Sequence, residues 1–149
     1  MRAPGTVLVI DAAILVAAAR GRSTGAILEA ARTRSLVTSG RAVEEAARRI
    51  ELGMMRPELL PVLKALVDEL IVLPAMAVEA EIAQAEMTLR DAVPSRNGSV
   101  QDAHILSLAW QMEADIWTFD RDFAGTGVAS WSTVNLMRAL VDAAHPRAF

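Results

Sequence analysis

Val7-Leu8-Val9-Ile10-Asp11 is the stretch that decides the fold. Its apolar residues form a run too short for a helix and without polar alternation, the pattern of a strand buried on both faces of a parallel sheet. An acid placed directly after such a strand stands at its C-terminal edge, where open α/β sheets form their ligand crevice. The same grammar recurs downstream, where Ile116-Trp117-Thr118-Phe119 runs into Asp120-Arg121-Asp122. Between the two, Asp102-Ala103-His104-Ile105-Leu106 opens an apolar-striped helix. Acids at two strand ends and one helix start suggest carboxylates converging on a hard cation.

Outward from these anchors, short β-rich runs alternate with helical stripes. The pattern predicts strands at about 7–10, 35–38, 70–73, 115–119 and 127–131. The first helix in this reading begins near Ser23-Thr24 and runs to Arg32. The next follows Ser39, with Val43, Ala46, Ala47 and Ile50 on one face, and another starts at Pro57, a good first-turn residue. Helices over about 77–91, through Ile105, Leu108, Ala109 and Met112, and over 133–144 complete the set. Pro94 to Gly98 is the clearest loop. Alternating strands and helices predict a three-layer α/β/α fold with a mostly parallel five-stranded sheet, one domain over residues 1–149.

Composition narrows the chemistry. At 149 residues and 53% hydrophobic content, the chain is long and apolar enough for a full core, which excludes disorder. No apolar run approaches the roughly 20 residues that span a bilayer. Met1-Arg2-Ala3-Pro4 leads straight into a strand and does not resemble a signal peptide, so a cytoplasmic protein is expected. Cysteine is absent, which removes disulfides, thiolate ligands and cysteine nucleophiles. With only two histidines, His104 and His145, a metal site would rest on oxygen, favouring Mg²⁺ or Mn²⁺ over zinc or copper. The net charge of −3 gives no global basic footprint for nucleic acid, although acids gathered around a metal would produce the same value in a nuclease.

Four motifs carry a family resemblance over nearly the whole chain. They are the apolar strand ending at Asp11; Leu36-Val37-Thr38-Ser39 followed by a helix with Glu44-Glu45; Asp102-Ala103 with its apolar helix; and Thr118-Phe119-Asp120-Arg121-Asp122-Phe123. In this order, on these elements, the chain resembles the PIN domain family, the metal-dependent ribonuclease fold that includes VapC-type toxins. Gly125 to Val128 with Trp131 is a looser match to the last turn and strand of some members. The resemblance implies a Mg²⁺- or Mn²⁺-dependent endoribonuclease, the toxin of a toxin–antitoxin pair. It implies Asp11, Glu45, Asp102 and Asp120 as catalytic metal ligands, with Asp122 as a further ligand. Family spacing favours Glu45, while Glu44 lies about 100° away around the helix. The expected partners are an RNA substrate, a cognate antitoxin and a second copy of the chain, with no membrane. Glu58 to Leu70 and Met54-Met55 are the candidate dimer surface.

Each residue also has a plainer role. Asp11 can cap the following turn. Asp102 completes Ser99-Val100-Gln101-Asp102, which reads as a capping box. Asp120 and Asp122 are common turn formers, and Glu44 or Glu45 can be a solvated helix acid. His104 reads as structural; Thr118 either bonds a ligand carboxylate or fills a strand position. Arg41, Arg48, Arg49, Arg90 and Arg96 either track an RNA backbone or cover a solvated face. A non-catalytic PIN-like RNA-binding or regulatory protein is the alternative function. A HAD-like phosphatase needs a second Asp two residues after the first, and Ala12-Ala13 follows Asp11 instead.

Overall fold

The structure, a computed structural model, describes residues 2–74, 79–90, 103–119, 123 and 126–145, apart from the side chains of residues 79–82 and 90. Strands β1 (Val7–Ile10), β2 (Ser35–Ser39), β3 (Ile71–Leu73), β4 (Asp115–Trp117) and β5 (Ser130–Trp131) form one sheet in the order β3-β2-β1-β4-β5. Every neighbouring pair is parallel. Leu8, Val9 and Ile10 are fully buried, as expected for a strand covered on both faces.

Seven α-helices are described: α1 (Ala12–Ala19), α2 (Thr24–Ala31), α3 (Gly40–Arg48), α4 (Leu60–Val67), α5 (Glu79–Arg90), α6 (Ala103–Met112) and α7 (Thr133–Ala144). Helices α1, α3 and α4 pack on one another; α5 packs on α6, which crosses β1, β2 and β4. The result is the predicted three-layer α/β/α domain. A π-helical turn over Arg49–Gly53 extends α3, and a 3-10 turn over Pro57–Leu59 leads into α4. No described helix is long and apolar enough to cross a membrane.

The sequence pattern misses α1. Its segment Ala-Ala-Ile-Leu-Val-Ala-Ala-Ala buries Ala12, Ile14, Leu15, Ala17, Ala18 and Ala19, so no polar face marks a helical period. Asp11 starts the helix as its N-cap. Gly21 stops it: with φ +85 it takes the left-handed position, while its N–H and that of Arg22 return to the carbonyls of Ala18 and Ala17. This double bond is the Schellman motif, which glycine adopts without a Cβ penalty.

The last two strands are shorter than expected. Thr118 still donates its backbone N–H to Trp131, but its side chain turns toward Asp11, and β4 ends at Trp117. Gly127, at φ +84, lies in the turn before β5. The expected loop over 94–98 lies outside the described residues, as do positions 77, 78 and 91 of the fourth expected helix. Helix α4 buries Leu63 and Leu66 in its own domain's core, so its apolar stripe is largely used internally. The exposed apolar side chains nearby are Leu52, Met55 and Val62, with Ile71 and Val72 on the edge strand β3.

Candidate active site

Strand order reverses around β1: the chain moves from β1 to β2 and β3 on one side, then returns to β4 on the other. The C-terminal ends of β1 and β4 therefore flank the switch point, where doubly wound sheets bind ligands. Asp11 follows β1 there, and Thr118 follows β4.

Asp11 is held from two sides. One carboxylate oxygen accepts the Ile14 N–H at 3.1 Å, and the other accepts the Thr118 hydroxyl in a short bond. Capping and site placement thus coexist in one side chain, and Thr118 bonds the acid rather than merely filling the strand. The bond from Thr38 Oγ1 to the Ile10 carbonyl, 2.7 Å, ties the ends of β2 and β1 together just before Asp11.

The next residue of β2, Ser39, caps α3 by accepting the Ala42 N–H at 3.0 Å. Its hydroxyl also shares a 3.0 Å hydrogen bond with His104 Nδ1 on α6. Burial, with the Arg41 charge adding to it, pulls the His104 pKa down to about 4, so the imidazole is neutral near pH 7. The Ser39–His104 pair locks α3 to α6 and fixes where both helices start relative to the sheet.

From α3, Glu45 reaches a small cleft shared with Asp11, Ala12, Ala13, Arg49, His104 and Ile105. Glu45 is partly buried, whereas Glu44 is exposed. Arg49, one turn further on where the helix widens, pairs with Glu45 at 2.8 Å. The cleft has a volume of about 20 Å³, room for one water-sized particle rather than an organic molecule. Acids from two separate elements line it, and Mg²⁺ takes oxygen ligands of this kind, usually one or two carboxylates.

Among the described residues no group of three or more acid or histidine side chains gathers as a complete metal site. Asp102, Asp120 and Asp122 lie outside the described residues; α6 begins at Ala103, directly after Asp102. Arg96 lies outside them too, as does the Arg90 side chain. Arg41 and Arg48 are exposed, and of the three singled-out arginines whose side chains are described only Arg49 lines the cleft. The sequence offered a signal for that: an i,i+4 Glu–Arg spacing on the helix that carries the candidate acid.

A family model for the PIN domain matches residues 9–141. The chain belongs to the PIN domain family. A comparison with curated proteins found no match in sequence. Among solved structures, it is similar to VapBC2 from Rickettsia felis, solved bound to a DNA fragment from its promoter, with TM-score 0.64 and 13% identity over 85% of this chain and 98% of that one. It is similar to VapC20 from Mycobacterium tuberculosis, a sarcin-ricin loop cleaving toxin, with TM-score 0.61 and 15% identity over 82% and 96% of the two chains. A toxin–antitoxin complex from Klebsiella pneumoniae gives TM-score 0.56 and 18% identity over 85% and 97%.

Proposed function

We propose that this chain is a Mg²⁺- or Mn²⁺-dependent endoribonuclease, acting in the cytoplasm as the toxin of a toxin–antitoxin pair. The observation that carries the reading is the meeting of Asp11 and Glu45 in one ion-sized cleft at the switch point of a PIN domain. The fold neighbours lend support, one being an RNA-cleaving toxin and another a toxin–antitoxin complex. Asp11 and Glu45 would hold the ion, joined by Asp102, Asp120 and Asp122 as their positions in the four motifs suggest. Such an ion supplies an activated water and neutralises charge developing on the scissile phosphate.

The chain's own groups prepare for that. Thr118 and the Ile14 N–H fix the Asp11 carboxylate before any ligand arrives. Arg49 balances Glu45 and brings a cation to the cleft, where a phosphodiester must approach carboxylates. His104, neutral, supports Ser39 and does not supply a charge. Purified protein should cleave RNA with Mg²⁺ or Mn²⁺ and stop on addition of EDTA. Cleavage that persists in EDTA, or none across a broad RNA panel with either metal, would overturn the reading.

The assembly reading is a homodimer. Leu52 and Met55 are 71% and 80% exposed, and the edge strand β3 leaves Ile71 and Val72 open to solvent. Apolar side chains on an unpaired sheet edge invite a partner. Light scattering should give about twice the 16.0 kDa chain mass. A mass near 16.0 kDa would remove the dimer.

A further inference from the structure

A second cavity adjoins the carboxylate cleft. It has a volume of about 400 Å³ and is lined by Ala13, Arg20, Arg22, Ser23, Phe119 and Thr133, among others. Ala13 lines both spaces, so they are neighbours on one surface. Phe119 directly follows Thr118, the residue that bonds Asp11, yet it is 51% exposed. A half-exposed phenyl ring beside a polar cleft is out of place in a core and suited to stacking.

Two hydroxyls at the cavity keep spare hydrogen-bonding capacity. Ser23 is 4% exposed, lines the cavity, and its side chain makes no hydrogen bond among the described residues. Thr133 accepts the Trp117 indole N–H at 3.0 Å, and its own proton meets no acceptor among the described residues. Each hydroxyl can donate to or accept from a ligand in the cavity. Arg20 and Arg22 add two positive charges, set either side of the Gly21 turn.

We propose that this cavity is a nucleotide subsite for single-stranded RNA, placed next to the scissile phosphate. One base stacks on Phe119 over the alanine floor of α1, Ser23 and Thr133 hydrogen-bond its edge or sugar, and Arg20 and Arg22 meet the flanking phosphates. The volume falls in the small-ligand range of roughly 300–1,000 Å³, which a nucleotide fills. Two arginines and two hydroxyls with spare hydrogen-bonding capacity around one cavity argue for a polyanion with polar edges over an apolar helix. The inference rests on the ribonuclease reading for the meaning of the adjoining cleft, but its test does not need cleavage.

The experiment measures binding of a fluorescent single-stranded RNA oligonucleotide to the full chain in EDTA by anisotropy. Phe119→Ala should weaken binding roughly tenfold or more, the loss expected for one stacked base. Phe119→Trp should retain it, because a larger ring still stacks. Arg20→Gln and Arg22→Gln should each lower the salt dependence by about one phosphate contact. Parental affinity in Phe119→Ala, or no RNA binding by the parent chain, overturns the subsite. Variants that keep RNA affinity but lose binding to a co-expressed protein partner also overturn it, in favour of a protein-docking surface. A parent that binds RNA through Phe119 yet never cleaves it leaves the subsite standing and removes the ribonuclease reading alone.

Discussion

Two buried aspartates on neighbouring strands stand at opposite rims of the sheet, and they do opposite work. Asp11 follows β1 at the C-terminal rim, 8% exposed; Asp115 opens β4 at the N-terminal rim, 4% exposed. Burial does not distinguish them; their surroundings do. Asp115 accepts the Gly5 N–H at 2.8 Å, the Trp131 indole N–H at 3.0 Å and the Arg2 guanidinium at 3.1 Å. It staples the N-terminal segment and β5 to β4. Asp11 accepts a helix N–H and a hydroxyl and lines a cleft with a second carboxylate. An acid surrounded by donors from two chain segments holds a fold together, whereas Asp11 shares its cleft with Glu45 and keeps fewer protein donors around it.

That contrast is easiest to break at Asp11. Asn caps helices about as well as Asp, so Asp11→Asn should keep the bond to the Ile14 N–H, lose the charge and turn the Thr118 hydroxyl from donor to acceptor of the new amide. RNA cleavage should fall on the order of a hundredfold or more, the scale seen when one preorganised electrostatic group is removed. The melting temperature should stay within about 2 °C, under roughly 1 kcal/mol for a chain this size. A collapse in melting temperature that accounts for the lost activity would make Asp11 a second Asp115.

Glu45→Gln against Glu44→Gln sharpens the acid side of the comparison. Glu45 lines the cleft and Glu44 faces solvent, so the first should cut activity roughly tenfold or more and the second less than about twofold. Equal small effects would remove α3 from the site.

Asp115 should show the reverse profile. Asp115→Ala strands the buried Trp131 indole N–H and the half-buried Gly5 N–H, costing about 2–4 kcal/mol, or roughly 5–12 °C in melting temperature. Activity below the transition should persist. Arg2 is 63% exposed at its side chain, so Arg2→Gln should cost under about 1 kcal/mol by the same thermal measurement. A large loss in Arg2→Gln would mean that the ion pair, not the buried donors, secures Asp115.

The parallel sheet was legible because its strands are buried on both faces and so read as unbroken apolar runs bounded by polar residues. Helix α1 was hidden for a related reason. Packed against α2, α3 and α4, it carries no polar side chain on any face to print a period into its sequence. The place of Asp11 at a strand end was legible from local context, whereas Glu45 was preferred to Glu44 through the spacing of the family the chain resembles. The support around them was not. Thr118 lies 107 residues from Asp11, and Ser39 lies 65 from His104, separations across which no local pattern operates. Asp115 gave no signal either, since an acid at a strand start reads as an ordinary boundary until Gly5 and Trp131 are brought to it. The cavity beside Phe119 gathers α1, the loop before α2, the end of β4 and the start of α7, which only the fold juxtaposes.

The turn at Gly21 has a consequence for how this protein can change over generations. Main-chain bonds shape it, from the N–H groups of Gly21 and Arg22 to the carbonyls of Ala18 and Ala17, and the Thr24 hydroxyl also donates to the Ala18 carbonyl at 2.8 Å. The exposed side chains on either side take no part in building the helix end. Substitutions at Arg20 and Arg22 are therefore nearly invisible to folding and fully visible to whatever enters the neighbouring cavity. A lineage can revise its choice of target there, residue by residue, while Asp11 and the strand behind it stay fixed.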